Sequence, residues 1–389
     1  MKICSIVAEY NPFHNGHLSQ IEYVKTVLKP DYIIIVMSGN FTQRGEISAL
    51  DKFTRAKHAV LAGADAVIEL PTVFASASAE FFASGAVKLI NSLPGDKTIC
   101  FGAECGDKET ILKIAKSTLV ESDEFKKVLK QELSKGVALI KARETALIKT
   151  GGEFIDILSK PNNVLGVEYA KAILKNNYPI DIEVIKRDGA EYNDKELSFK
   201  NPSALSIRTA IENKDLKSVK NFVPPFVYSD LTESLPSLDK EILYSVLSST
   251  KQELKNILDC SEGLENRLKA WAKESVTLPE LIEKLKTKRY TTARLKRVLI
   301  SNLLKIDKTL VRTALKNKLY LKVLALNGKR TELLSVLSKS KFPLLTRKSD
   351  LSKLGKTAYS VFEKDAFAND VYSLSIGEKL NENNMIIVK

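Results

Sequence analysis

The chain lacks any long apolar run: nowhere in its 389 residues is there a stretch approaching the ~18 uncharged apolar positions that a membrane span needs. The apolar segment over residues 3–8 is too short for a secretory signal and leads directly into Glu9. Cysteine is scarce. Cys4, Cys100, Cys105 and Cys260 form no C-x-x-C pair, and no histidine lies near Cys100 and Cys105 to complete a zinc set. That pattern argues against structural zinc and predicts buried, reduced thiols in a cytoplasmic protein. No cluster of carboxylates suggests a tightly bound divalent ion either, so no resident metal is expected. Histidine is rarer still, with only His14, His17 and His58, and tryptophan occurs once, at Trp271. Trp271 reads as a core anchor rather than a stacking platform. No internal repeat and no low-complexity tract is visible.

What is present is the composition of a globular protein, 44% hydrophobic and 28% charged, long enough for two or three domains. Sixty Lys and Arg against 47 Asp and Glu give a net charge of +13. Such a balance suits a polyanionic partner, nucleic acid foremost.

The first half alternates strand-like and helix-like segments, the pattern of a parallel α/β sheet. Strands are expected over residues 3–8, 32–37, 66–70, 98–101 and 180–186. Helices are expected over 17–28, 51–62, 78–91, 108–118 and 164–176, and the helical runs 122–134 and 137–149 resemble an insertion. Beyond about residue 210 the strand signal fades. The expected fold is therefore a Rossmann-like parallel-sheet α/β domain over residues 1–215. A mainly α-helical, basic domain over 216–310 follows, then a small α+β region over 311–389 with strand-like 319–325, helix-like 329–338 and strand-like 385–388.

The segment Val7-Ala8-Glu9-Tyr10-Asn11-Pro12-Phe13-His14-Asn15-Gly16-His17-Leu18-Ser19-Gln20 joins the first strand to the first helix. Helix N-termini present unpaired N–H groups and the positive end of a dipole, so anions settle there. Two imidazoles at that point can donate hydrogen bonds to phosphate oxygens as charge builds in a transition state. The motif resembles the H-x-G-H signature of a nucleotidyltransferase superfamily related to class I aminoacyl-tRNA synthetases. That resemblance implies that His14 and His17 bind ATP phosphates and assist attack at the α-phosphorus. It also implies a second phosphate motif, which Pro202-Ser203-Ala204-Leu205-Ser206-Ile207-Arg208-Thr209 matches loosely. Ser203, Ser206 and Arg208 are its candidates, an ordinary capped surface helix being the alternative.

A narrower resemblance spans most of residues 1–300. Besides Glu9–His17 it rests on Met37-Ser38-Gly39-Asn40-Phe41-Thr42-Gln43-Arg44-Gly45-Glu46, on Ala62-Gly63-Ala64-Asp65 with Ile68-Glu69-Leu70-Pro71, on Phe101-Gly102-Ala103-Glu104, on Pro161-Asn162-Asn163-Val164-Leu165-Gly166, and on Lys186-Arg187-Asp188. Together these resemble the bacterial tRNA(Met) cytidine acetate ligase family. The resemblance implies activation of acetate by ATP to acetyl-adenylate and transfer to the exocyclic amine of the wobble cytidine of elongator tRNA(Met). It implies an ATP site made of residues 7–20, Gly102, Asn162, Arg187 and Asp188. Mg²⁺ is expected to accompany ATP. Catalysis is expected from His14, His17 and Arg208.

Three further features carry less specific signals. The polar loop 38–50 could bring Gln43 and Arg44 to an anionic group. Asp51, Arg55 and His58 share one helix face, expected to be solvated, with Lys52 and Arg55 as candidates to face a substrate. Lys284, Lys286, Lys288, Arg289, Arg294, Lys296 and Arg297 surround Tyr290 with no acidic residue between them. This run suits RNA phosphates, with a solvated helix face as the alternative. From the residues alone, two other functions stay open: a small-molecule adenylyltransferase and a catalytically silent RNA-binding protein.

Overall fold

The computed structural model describes residues 1–119, 123–136, 142, 145–146, 149, 155–187, 203–287 and 289–389. Asp188, Lys288 and most of the helix expected over 137–149 lie outside the described residues. Five parallel strands form as anticipated: β1 (Lys2–Ala8), β2 (Tyr32–Ser38), β3 (Ala66–Leu70), β4 (Asp96–Ala103) and β5 (Ile180–Lys186). They stand in the order β5-β4-β1-β2-β3. Alternate positions feed two cores. Ile34 and Val36 point into one, Ile33, Ile35 and Met37 into the other, as expected of a sheet covered on both faces. The chain leaves β1 toward β2 but returns to the other side of β1 as β4. This reversal opens a crevice at the carboxyl ends of β1 and β4, where open α/β sheets bind ligands.

Helices α1 (Asn15–Tyr23) and α2 (Lys52–Leu61) cover one face, while α3 (Ala79–Ser92), α4 (Lys108–Leu119), α5 (Asp123–Ser134) and α6 (Pro161–Lys175) follow in sequence, α3, α4 and α6 packing on the other. Helix α7 (Ala204–Glu212) joins the α1/α2 side through Ile207 and Ile211. The basic stretch forms a helical module, α8 (Asp239–Ser248), α9 (Leu264–Ala272), α10 (Leu278–Leu285), α11 (Thr292–Leu303) and α12 (Lys308–Lys316). Trp271, on α9, is half-buried against the core.

The end of the chain returns to the sheet. The strand expected over 319–325 is β6 (Leu321–Asn327), which pairs antiparallel with β3, and the terminal strand β8 (Ile386–Val388) pairs with β6. Two elements had no clear sequence signal: the two-residue strand β7 (Leu344–Leu345) and the 21-residue helix α13 (Lys356–Ile376). Apolar residues occur around much of α13, since Ala358, Val361, Phe362, Ala368, Val371 and Tyr372 are all buried, and this blurs the one-sided periodicity that marks a surface helix.

This return corrects the reading of α2. The face carrying Arg55 and His58 is buried, with both side chains fully covered, and Lys52 is buried too. None of the three is solvated, and none lines the pocket at the carboxyl ends of β1 and β4. Lys52 lies in a cluster of four charges that sequence distance conceals. Its Nζ donates to Glu69 Oε1 at 2.8 Å and to Glu382 Oε2 at 2.7 Å, and Lys322 pairs with the same two glutamates. Burial opposes the charge on Lys52, but Glu382 and Glu69 outweigh it and hold its pKa above the ordinary lysine value. Two cations and two anions thus balance where a lone charge would be prohibitive. Asp365 of α13 lies close enough to feel the same charges; burial, then Glu69, raises its carboxyl to about 7.

Removing one member leaves its partners uncompensated. Lys322→Met should therefore lower unfolding free energy by about 3–5 kcal/mol, read from the urea midpoint. Adding Glu382→Gln to it should recover part of that loss.

Candidate active site

The turn after β1 is built around His14. Its ring caps α1: the Gly16 N–H donates to His14 Nδ1 at 3.1 Å, while the His14 N–H donates to His17 Nδ1 at 3.2 Å. The two rings stack with centroids 3.6 Å apart. Since each Nδ1 accepts a backbone hydrogen, each Nε2 carries one, and both histidines are neutral donors. Burial, followed by the charge of Arg187, pushes His14 down to about 3. Burial and then its neighbours His14 and Arg187 hold His17 well below the usual histidine value. Tyr10, in a left-handed conformation (φ 49°), packs its ring edge-on against Phe13 and His17.

A pocket opens at the carboxyl ends of β1 and β4. Of the residues anticipated for ATP, Val7, Ala8, Glu9, Tyr10, Asn11, His14, His17, Gln20, Gly102, Asn162, Arg187, Ser203 and Arg208 line it. Pro12, Phe13, Asn15, Gly16, Leu18, Ser19 and Ser206 do not. They shape it instead. Phe13 is buried in the core, Asn15 Nδ2 donates to Asn221 O, and Ser206 donates to the Ser203 carbonyl at 2.8 Å.

Each lining group is set by its own element. A Cβ at Gly102 would sit tight against Arg187 Cγ, at 3.0 Å; the glycine lets Arg187 lie across the end of β4 without moving aside. Asn162 donates to Glu104 Oε1 at 2.7 Å, which orients its amide beside the pocket. Ser203 is the N-cap of α7, accepting from Ser206 N at 3.0 Å. This helix start faces the pocket instead of lying on the open surface, and it carries Arg208. The Arg208 guanidinium donates to Asn11 O at 2.7 Å and to Glu46 Oε2 at 2.8 Å.

The loop 39–50 completes the wall with Gln43, Arg44 and Glu46. Gln43 and Arg44 were legible as polar loop residues; Glu46 was not singled out. Its signal was its place beside an arginine in a glycine-bearing loop, too general to select it. Glu9 accepts from the Gln43 N–H at 2.7 Å, and burial raises its carboxyl above the usual range. Phe101 and Tyr169, with ring centroids 5.3 Å apart, add an aromatic side that the sequence reading also missed.

The basic run does not form one free surface. Arg294 pairs with Glu262 at 3.1 Å, Arg297 with Asp259 at 3.4 Å and Lys284 with Glu280 at 2.7 Å, all within the helical module. Lys296 reaches across to Glu46 at 2.7 Å. Lys286 and Arg289 are exposed. Among the described residues no group of three or more His, Cys, Asp or Glu is placed to hold a metal ion, and no helix is long and apolar enough to cross a membrane.

A family model described as HIGH Nucleotidyl Transferase matches residues 1–385. A tRNA(Met) cytidine acetate ligase from Caldanaerobacter subterraneus subsp. tengcongensis is 42% identical over 388 residues, covering 96% of each chain. The chain belongs to this ligase family. A tRNA(Met) cytidine acetate ligase from Clostridium perfringens is 38% identical, covering 99% of this chain and 98% of its own. Among solved structures, apo TmcAL from Thermotoga maritima aligns over the whole of both chains with a TM-score of 0.93 at 32% identity. TmcAL from the same organism bound with α-thio ATP gives a TM-score of 0.91 at 31% identity.

The family's histidine pair should stay neutral here across the physiological range. In ¹⁵N spectra recorded from pH 8 down to 5, both rings should keep the signature of the Nε2–H tautomer. Because burial depresses the folded-state pKa, the stability held by neutral His14 is present above pH 6.5 and lost as pH falls toward about 3. A ring that titrates near 6.5 would show that the turn is open to water.

Proposed function

We propose that this protein is a cytoplasmic enzyme, a tRNA(Met) cytidine acetate ligase that activates acetate with ATP and acetylates the N4 amine of the wobble cytidine of elongator tRNA(Met). The observation that carries this reading is the pair of neutral Nε2–H donors fixed at a helix start, with Arg187 and Arg208 lining the same pocket. In the first step an acetate oxygen attacks the α-phosphorus, and the bond to the bridging oxygen breaks as pyrophosphate leaves. His14 and His17 donate to the oxygens where charge builds, and Arg208 draws the β and γ phosphates. The Phe101–Tyr169 side suits the adenine ring. In the second step the cytidine amine attacks the acetyl carbon and AMP leaves. Mg²⁺ enters with the phosphates of ATP, and no step is assigned to a protein-held ion.

Residues 1–215 are proposed as the activating domain, 216–310 as the tRNA-holding domain and 311–389 as its α+β companion. Because Arg294, Arg297 and Lys284 are held in ion pairs within the helical module and Lys296 with Glu46, the exposed Lys286 and Arg289, the latter's side chain bonded to the Gly136 carbonyl at 3.3 Å, are the better placed of the described cations to meet RNA phosphates.

Labelled pyrophosphate should exchange into ATP only when acetate is present, and His14→Ala should reduce that exchange at least 100-fold. Exchange that ignores acetate but responds to a phosphorylated acceptor would instead identify a small-molecule adenylyltransferase. No exchange, together with tight tRNA binding, would identify a silent RNA-binding protein.

Lys286→Ala combined with Arg289→Ala should weaken tRNA binding and reduce its salt dependence. The slope of log K against log salt should fall by about 1.4, at roughly 0.7 per single-stranded phosphate contact. Acetate-dependent exchange should not change.

A further inference from the structure

A second cavity, of about 640 Å³, lies between the sheet domain and the helical module, within the size range of small-ligand sites. Glu46, Leu205 and Arg208 line both this cavity and the histidine pocket, so the two spaces share a wall. Its apolar side comes from Ile211 of α7, Ile242 of α8 and Leu278 and Ile282 of α10. Away from the shared wall, its charged groups are Glu212, Glu233 and Asp239, against Lys214 and Lys296, the latter paired with Glu46. That balance disfavours a phosphate as the occupant. It suits an uncharged ligand with hydrogen-bonding groups at one end.

The shared wall supplies that end. The Glu46 carboxylate accepts from Arg208 Nη2 at 2.8 Å and from Lys296 Nζ at 2.7 Å. One acceptor therefore stands between two donors. The pairing edge of cytosine carries a donating exocyclic amine at one end with an accepting ring nitrogen next to it, so the amine can meet the Glu46 carboxylate while the ring nitrogen meets one of the flanking cations. Enzymes that modify a base take it out of the stack and read this edge while apolar side chains hold its faces.

The backbone fixes the wall from the module's side. Gly45, in the left-handed region at φ 71°, presses against α11, and a Cβ there would meet the Arg297 nitrogen at 2.4 Å. The position of Glu46 is thus tied to α11, which follows directly on the connection that carries Lys286 and Arg289.

Resting on the acetate-ligase reading, we propose that this cavity receives the flipped acceptor cytosine and that Glu46 is the catalytic residue that accepts its amine. The amine lone pair attacks the acetyl carbon of acetyl-adenylate and a C–N bond forms. The bond from that carbon to the phosphate oxygen breaks, its electron pair leaving with AMP, and the amine proton passes to the Glu46 carboxylate. Burial works to raise the Glu46 carboxyl, but Arg208 and Lys296 outweigh it and keep the group ionised, in the form that accepts a proton.

The test supplies acetyl-adenylate ready-made, which bypasses the first step, and follows a single turnover of transfer to an anticodon stem-loop RNA. Glu46→Gln and Ile282→Trp, which fills the apolar side, should each slow transfer at least tenfold, with ATP binding retained in Ile282→Trp. Ile242→Trp serves in place of Ile282→Trp if that variant loses ATP binding. A smaller effect of either variant overturns the proposal. Failure of the unaltered enzyme to transfer from acetyl-adenylate would overturn the acetate-ligase reading itself, an outcome distinct from failure of the variants.

Discussion

One buried guanidinium, that of Arg55, holds the carboxyl ends of the first two strands where the site needs them. Its Nη1 donates to Glu9 O at 2.5 Å and Ser38 O at 3.2 Å, its Nε to Leu50 O at 2.9 Å, and its Nη2 to Gly39 O. A fully buried cation is costly unless each donor finds an acceptor. Here the acceptors are backbone carbonyls at the end of β1, at the end of β2 and at the far side of loop 39–50. Burial lowers the guanidinium's pKa, and nearby Tyr372, Asp51, Glu9 and Glu69 counter it. Only a planar, five-donor side chain can tie several backbone segments at once, so lysine would not replace it.

The polar groups of loop 39–50 follow from that anchor. Asn40 Oδ1 accepts from Lys52 N at 2.7 Å, Asn11 Oδ1 accepts from Ala49 N at 2.7 Å, and Tyr372 of α13 donates to Ser48 O at 3.2 Å. With its ends secured, the loop can hold Glu46 between the arginine of one element and the lysine of another. The buried Lys52–Glu69–Lys322–Glu382 cluster ties the same region to β6 and to the chain's last turn before β8. The nucleotide pocket is therefore supported from the C-terminal end of the sequence as well as from its start.

Much of the fold was legible because local signals and the buried sheet agree. The five parallel strands are short Ile- and Val-rich runs, and the histidine turn sits where a strand meets a helix. The charged residues of α2 were misread for a physical reason. Arg55 and His58 share a face with Asp51, and spacing alone cannot show that Arg55 meets the carbonyls of Glu9, Ser38, Gly39 and Leu50, that His58 meets Asp230 at 2.9 Å, or that Glu382 reaches back to Lys52. The basic run was misjudged as a uniform surface for a similar reason. Asp259 and Glu262, which engage Arg297 and Arg294, come from the turn before α9, outside the window in which the positive charges were counted.

By itself the sequence determined the sheet, the histidine pair and the family, because these depend on residue type and short-range order. Which Nε2 atoms carry hydrogen, which cations stay exposed and where Glu46 stands were decided only by the tertiary structure. Hydrogen bonds and ion pairs act over a few ångströms, and the partners that settle these questions lie far apart along the chain. His14 and His17 are three residues apart and were readable as a pair; Glu46 and Lys296 meet only because Gly45 lets the loop close against α11.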